Sequence, residues 1–361
     1  MTGPLHGLKV VELAGIGPGP FCAMFLADLG ADVVRIDRPS GGIAAVEYKL
    51  DLLNRGKRSV ALDLKTEVET ALQLIEKADV LIEGFRPGVA ERLGLGPSVC
   101  LERNPRLVYG RMTGWGQTGP RAHTAGHDIT YIALAGALHT IGSADGPPVV
   151  PLNLLGDFGG GAMYLAAGIL AALWETKSSG RGQVVDAAIV DGVAHLLTLQ
   201  WSMLGGGAWR DERGVNLLDG GAPFYGVYET ADGQHMAVGP LEPQFFQEMM
   251  SRLDLADEVN DYFDRERWGH LRHRIAAAFL SGTQKEWSDK FADSDGCVAP
   301  VLSMREAATD PHLSARGTYV EKDGVTQPAP APRFSRTPSE LGPKPPDPGE
   351  HSVEDVLADW S

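Results

Sequence analysis

Positive charge is in short supply. Lysine and arginine number 32 against 47 aspartates and glutamates, a formal net charge of −15. A protein that lives on nucleic acid needs a basic footprint, so no nucleic-acid partner is expected. Cysteine is scarce as well: Cys22, Cys100 and Cys297 are odd in number and widely spaced, with no Cys-x-x-Cys pair. That excludes a disulfide framework and a thiolate zinc site, and it fits a reducing, cytoplasmic compartment. The opening residues MTGPLHGLKVVELAG lack a basic region followed by a long apolar run, so no secretory signal is expected. The closing ADWS matches no retention or peroxisomal address. No run of about eighteen residues is apolar throughout, because glycine and polar residues interrupt Ala162–Leu173 on both sides, and no membrane partner is expected. No internal repeat is visible. What remains, 361 residues with 43% hydrophobic and 22% charged, reads as about two or three globular domains.

The first half alternates short apolar runs with helical patterns. Strands are expected at 9–13, 32–37, 60–64, 80–82 and 107–112, and at 183–187. Helices are expected from Pro20 to about Leu29, over 66–77, 87–93 and 158–175, and over 191–204. That alternation predicts βαβ units and a mostly parallel sheet covered on both faces. Residues 205–221 are rich in glycine and charge and read as a linker. A second unit opens with a hairpin, Phe224–Thr230 and His235–Gly239 around Asp232-Gly233, followed by helices near 243–253, 268–280 and 284–293 and a closing segment at 296–302. Residues 326–349 are dense in proline and read as loop, and 353–360 as a last helix.

The chemistry gathers in 110–161. A glycine-rich turn (Gly114, Gly116, Gly119, Pro120) is followed by Gly126-His127-Asp128, then Asn153 and Asp157 ahead of three glycines. A histidine and a carboxylate, each after a glycine and beside backbone that can be closely approached, suit two proton carriers facing one small substrate atom. Taken singly, His127 is an ordinary surface or core histidine and Asp157 a helix cap. A third acid, Glu242, lies in Gly239-Pro240-Leu241-Glu242-Pro243, where a helix-start carboxylate would serve the dipole in any case. Arg38, Arg55, Lys57, Arg58, Lys65, Arg86 and Arg92 form a basic set whose ordinary reading is a solvated face. The turn at Gly15–Gly19 followed by Asp37 imitates a dinucleotide fingerprint. However, Pro20 stands where the third glycine belongs, and Arg38 follows the acid directly. A phosphate-bearing ligand that uses Arg38 stays open.

Several separated blocks, in order, carry a resemblance over nearly the whole chain. They are Gly7–Leu13, LADLGADVVRIDR (26–38), GKRSVALDLK (56–65), ADVLIEGFRPGVAERLGLG (78–96), Thr113–Pro120, Gly126–Tyr131, Asp157 with its glycines, and Phe224–Phe245. The chain resembles the family III CoA-transferase superfamily and, within it, the α-methylacyl-CoA racemases. In the transferases the aspartate matching Asp157 is a nucleophile that becomes acylated, and the position of His127 is usually aromatic. In the racemases that position is histidine, and the small domain carries Glu-Pro-Gln-Phe, here Glu242-Pro243-Gln244-Phe245. The resemblance therefore implies an isomerase that inverts the α-carbon of 2-methylacyl-CoA thioesters within fatty-acid metabolism. The alternatives are a CoA transferase and, more distantly, a non-catalytic CoA-binding module.

The implied fold is α/β. It has a Rossmann-like parallel-sheet large domain (1–204, with 306–361 as a linker and C-terminal return) and a small α+β domain (223–305) after a linker at 205–222, in an interlocked homodimer. Inversion needs a proton removed from one face and returned to the other, which His127 and Asp157 can do as the carriers, with Glu242 as the carboxylate that orients His127; the resemblance implies that Glu242 comes from the partner chain. A developing enolate needs donors too. The helix start after Asp157 offers free N–H groups, with the Asp157 N–H as the expected donor. No cofactor and no metal are expected, CoA being part of the substrate. Carried over position by position, CoA contacts are expected at Arg38, Leu62, Asp63, Leu64, Lys65, Gly84, Phe85, Arg86, Arg92, Gly126, Asp128 and Tyr131, with the cations meeting phosphates. One departure concerns the acyl group: racemases often offer it a methionine-rich surface, whereas 186–218 contains only Met203.

Overall fold

Short runs of valine, isoleucine and leucine form strands where both faces can be covered, and the computed structural model, which describes residues 2–42, 46–260 and 262–361, places six of them in one sheet. In chain order, β1 (Lys9–Leu13) is followed by α1 (Pro18–Asp28), β2 (Asp32–Asp37), β3 (Lys57–Ala61), α2 (Val68–Lys77), β4 (Val80–Glu83), α3 (Val89–Arg92), α4 (Pro97–Arg103), β5 (Val108–Thr113) and α5 (Asp128–Leu134). A π-helical turn, Leu154–Ala162, then runs directly into α6 (Met163–Ser179), β6 (Val184–Ala188) and α7 (Ile189–Leu196). The strand order is β3-β2-β1-β4-β5-β6 and every neighbouring pair is parallel. This is the doubly wound order, in which the chain reverses direction across the sheet between β1 and β4.

Alternation along the strands separates the two faces. Val11, Leu13, Val34, Ile36, Leu81 and Tyr109 pack with Leu72 and Ile75 of α2, Cys100 of α4, and Val356 and Trp360 near the C-terminus. On the other face α6 approaches β5 so closely that a Cβ on Gly110 would meet Leu165 and Ile169 at 3.0 and 3.2 Å. Leu154–Ser179 is apolar and long enough, by composition alone, to cross a membrane. Its buried residues Leu165, Ala166, Ile169 and Ala172 make it the core helix of this face.

The chain divides into two compact units, one of residues 1–135, 151–196 and 312–361, the other of 136–150 and 197–311. The second holds α8 (Thr198–Gly205), β7 (Gly226–Glu229), β8 (His235–Val238), α9 (Pro243–Arg252), α10 (Trp268–Phe279), α11 (Gln284–Phe291), β9 (Val298–Pro300) and α12 (Met304–Thr309). Its three strands are antiparallel, and its core gathers Phe224, Tyr228, Met236, Phe246, Leu271, Phe279 and Trp287. α13 (Pro311–Ala315) returns the chain to the first unit, which ends with β10 (Tyr319–Lys322), β11 (Val325–Pro328) and α14 (Val353–Asp359).

Three expectations change. Residues 205–222 are a folded part of the second unit: Asn216 is fully buried, and its side-chain amide donates to the carbonyls of Arg210 and Glu212 and to Asp219, whose carboxylate also accepts from the Gly214 and Gly221 amides. The helix expected over 191–204 is two helices, α7 and α8, assigned to different units. The third strand lies at Lys57–Ala61 rather than 60–64, because its charged start is neutralised inside the protein.

That neutralisation removes three cations from the basic set. Lys57 is 2% exposed, and its ammonium donates to Glu12 at 2.6 Å, the Pro20 carbonyl at 3.0 Å and Asn54 Oδ1 at 3.1 Å. Arg55 pairs with buried Asp28 and reaches Gln327 and the Pro328 carbonyl of β11. Arg58 joins Asp32 to Asp359 of α14. A buried ion pair loses most when one partner is deleted and the other charge is left alone. Lys57→Met is therefore expected to lower unfolding stability in urea by about 3–5 kcal/mol, whereas Lys65→Met, at an exposed position, changes it by no more than about 0.5 kcal/mol.

Candidate active site

The carboxyl ends of β1, β4 and β5 open onto a cleft of about 500 Å³, at the side of the sheet where doubly wound folds hold ligands. Ile16, Gly17 and Pro18 after β1, Gly84 to Pro87 after β4, and Gly114 and Trp115 after β5 line it, together with Gly126, His127, Tyr131, Asn153, Asp157 and Ile189. A smaller cleft of about 280 Å³ shares Ile16, Pro18, Gly84, Phe85 and Met112 with it and extends along the ends of β1 and β2 to Arg35, Asp37 and Arg38.

His127 stands at the N-cap of α5 in an extended conformation. Its N–H donates to Thr130 Oγ1 at 3.0 Å and its carbonyl accepts from that hydroxyl at 2.7 Å, which fixes the backbone and leaves the imidazole exposed in the cleft. Asp157 comes from the π-helical turn. In an α-helix its N–H would bond the Asn153 carbonyl; here that carbonyl accepts instead from Phe158, at 3.3 Å, one residue further on. The released Asp157 N–H donates to Asp128 Oδ2 at 2.6 Å, and the Asp157 carboxylate accepts from Asn153 Nδ2 at 3.2 Å. Burial pushes the Asp157 carboxyl above the usual carboxylate range. The Asn153 bond opposes that rise, the Asp128 charge adds to it, and His127 works against it.

The glycines of this region turn out to be spacers. A Cβ on Gly192 of α7 would come within 1.8 Å of the Gly160 carbonyl, and one on Gly160 within 2.6 Å of Val193, so these glycines let α7 lie directly on the π turn. The helix expected to begin after Asp157 thus begins at Leu154, and of the glycines that follow Asp157, Gly160 and Gly161 pack against α7. The amide expected as enolate donor is already bonded to Asp128, so an oxyanion reaches it only by displacing that carboxylate. Gly114 and Gly126 have a similar purpose. A Cβ at either would overlap the Tyr131 ring, which stands edge-on to Trp115 with centroids 4.7 Å apart. The Tyr131 hydroxyl is pushed up by burial and by the Asp157 charge, with Arg86 acting in the opposite sense.

The main cleft thus brings together His127, Asp157, Gly84, Phe85, Arg86, Gly126 and Tyr131, and the adjoining one adds Arg38. Asp128 is 7% exposed and supports Asp157 from behind. Glu83, buried, holds the 84–87 loop by accepting from the Phe85 N–H at 2.7 Å and from Arg111 at 2.8 Å. Leu62 and Leu64 place their side chains in or against the core, which leaves only their backbone for a ligand. Asp63 accepts from the Lys65 and Thr66 amides and closes a turn before α2, with Lys65 exposed beside it. Arg92 lies over Gly88 and outside both cleft linings. Glu242 belongs to the second unit, exposed at the N-cap of α9 with no side-chain cap bond. Asn153 had no assigned role in the sequence, although its spacing of four from Asp157 was the available signal.

The family model described as CoA-transferase family III matches residues 5–352. The α-methylacyl-CoA racemase of Mus musculus is 45% identical across 99% of this chain and 93% of its own length, and that of Homo sapiens 44% identical across 93% and 87%. The crystal structure of a CAIB/BAIF family protein from Brucella suis superposes with a TM-score of 0.83 at 27% identity, over 100% of both chains. The sheet order, the blocks spread along the whole length and these likenesses agree: the chain belongs to CoA-transferase family III.

Proposed function

We propose that this chain is a racemase of acyl-CoA thioesters that inverts the α-carbon of a 2-methylacyl group by moving a proton through His127 and Asp157. The observation that carries the reading is the convergence of an exposed imidazole and a carboxyl pushed upward by burial on one cleft at the switch point of the sheet. A carboxyl raised above its ordinary range is better matched to taking and returning a proton than an ordinary one. The likeness to proteins named as α-methylacyl-CoA racemases supports the choice of substrate. His127 is the residue that favours inversion over CoA transfer, since transfer uses only the carboxylate.

In this scheme one carrier starts ionised or neutral as a base and the other starts protonated as an acid, on opposite faces of the α-carbon. The enolate between them is planar and accepts the new proton from the far side. A positioned base contributes roughly 10²–10⁴-fold, and donors to the enolate oxygen must supply the remainder. The Asp157 amide becomes one such donor when the thioester oxygen takes the place of Asp128. Arg38 and Arg86 are assigned to CoA phosphates, and Glu242, supplied by a second copy in a homodimer, to orienting the imidazole. The assignment of Glu242 rests on the resemblance to the racemases. No added cofactor enters the scheme.

The second reading, CoA transfer with Asp157 as nucleophile, is favoured by the family to which the chain belongs. The two differ at single residues. Asp157→Asn is expected to abolish most inversion yet retain solvent exchange of the α-proton in one enantiomer of 2-methylacyl-CoA. His127→Ala is expected to retain exchange only in the other, as read by mass spectrometry in D₂O. Equal loss of both exchanges in both variants, with CoA binding intact, would remove the two-carrier scheme, and an acyl adduct on Asp157 trapped by hydroxylamine would establish transfer. For binding, calorimetry is expected to show CoA held and NAD not. Arg38→Ala should weaken CoA by roughly tenfold or more, the effect of losing a charge-assisted phosphate contact; unchanged affinity would take Arg38 out of the site.

A further inference from the structure

Three exposed cations and an exposed indole line another cleft, at the edge of the sheet opposite the catalytic one. Lys77 ends α2, Arg106 stands in the loop between α4 and β5, and Lys177 lies in the last turn of α6. With Trp174 they line a cleft of about 520 Å³, a size typical of small-molecule sites. Its walls include the segments that enter β1, β4 and β5 at their amino ends, all within the first unit. At about 3.3 Å per residue, strands of five and six residues set the two clefts roughly 15–20 Å apart. The walls are held by bonds of their own. The Asn104 side-chain amide donates to the Ala78 carbonyl at 2.7 Å and its oxygen accepts from the Arg106 N–H at 3.1 Å, which ties the entries of β4 and β5 together. The Leu5 N–H donates to the Leu29 carbonyl at 2.9 Å and fixes the approach to β1.

Charge in this lining runs against that of the chain. Among the described residues none of the three cations has an ion pair, and Lys177 lies 5.9 Å from the Trp174 ring centroid. Of the lining carboxylates, Glu76 is bonded to Arg103 at 2.6 Å, and Asp79 accepts from the Lys9 N–H at 2.9 Å. The lining is thus net positive in a protein of net charge −15. A helix end attracts lysine through its dipole, which accounts for Lys77 and Lys177 taken singly. It does not account for Arg106, which belongs to no helix, nor for Trp174, which is 74% exposed. We propose that this cleft binds a nucleoside diphosphate, its base stacked on Trp174 and its phosphates met by Lys77, Arg106 and Lys177. An exposed aromatic face holds any planar base, and clustered cations suit the several charges of a diphosphate. A fatty acid could use the apolar lining of Leu5, Leu8, Leu170 and Leu173, but it carries one charge and no ring. The same moiety forms one end of CoA, so a free nucleotide and CoA are its two sources. The inference is independent of the proton-carrier reading, since none of these residues lines the catalytic cleft.

The seven tryptophans, labelled as 5-fluorotryptophan, allow a site-specific test by ¹⁹F NMR. The Trp174 signal is the one lost in Trp174→Phe. The full-length protein is titrated with ADP, with CoA and with inorganic phosphate. ADP is expected to move the Trp174 signal saturably. Arg106→Gln should raise the half-saturating concentration roughly tenfold, the effect of one lost charge-assisted contact. Asp79→Asn, which removes the opposing charge, should lower it; opposite responses in two exposed substitutions are not produced by misfolding. The response should persist in Arg38→Ala, which alters the catalytic cleft alone. A signal that ADP leaves unmoved overturns the inference. So does a movement indifferent to both Arg106→Gln and Asp79→Asn, or one that disappears in Arg38→Ala. The same movement with inorganic phosphate overturns the assignment of a nucleotide. Movement by ADP and CoA alike upholds a site for the shared nucleotide end, and movement by ADP without CoA upholds one for the free nucleotide.

Discussion

The contact between the π turn and α7 constrains the rest of the site. The Gly160 carbonyl leaves no room for a Cβ at position 192, and with glycine there α7 lies directly on the turn that carries Asp157. In the π register, the Asp157 amide is released from its expected helical partner and is taken by Asp128, while Asn153 reaches the carboxylate. A regular α-helix over the same residues would return that amide to the Asn153 carbonyl. Short π segments of this kind recur at functional sites because they expose a backbone group at the cost of a less regular helix.

Around that turn the parallel sheet supplies the frame. β1, β4 and β5 end together, and their following loops bring Gly17, Phe85, Arg86 and Trp115 to one cleft. The loop with Phe85 and Arg86 is tied down by Glu83, itself held by Arg111. Lys57, Glu12, Arg35, Asp37 and Asn54 form a buried polar network in which both cations are paired with carboxylates and Glu12 Oε1 is left without a hydrogen-bond partner. The cations left to a ligand are the exposed ones, Arg38 and Arg86 among them. The division of labour between structural and ligand-facing charges is decided by burial, which a list of basic residues does not contain.

Most of the first unit was legible because its signals are local. Valine-rich strands, Pro20 near a helix start that the structure puts at Pro18, and the amphipathic 66–77 segment each fix their own element, and the alternation of strands and helices fixes the parallel class. β3 was displaced by three residues because Lys57-Arg58-Ser59 looks solvent-facing until Glu12, Asp32 and Asp37 are brought to it from elsewhere in the chain. The fold of 205–222 was hidden for a similar reason: glycine and charge usually mean a flexible linker, yet here Asn216 and Asp219 satisfy the backbone from within. His127 and Asp157 were visible as a pair, but the π register was not. The turn packs on α7, more than thirty residues downstream, and so the occupied Asp157 amide had no signature that a local pattern could carry, whereas the bond from Asn153 had its spacing of four.

The central claim is that two different groups serve the two faces of one carbon, and the fate of the substrate's own α-proton tests it most directly. A single enantiomer of 2-methylacyl-CoA, incubated with the wild-type chain in D₂O and quenched within the first turnovers, is separated into retained and inverted forms. The account predicts that the inverted product carries one solvent deuterium from the outset, since the proton taken by one carrier is not the one delivered by the other. Inverted product that keeps the original proton would contradict it, because a single group would then have carried that proton from one face to the other.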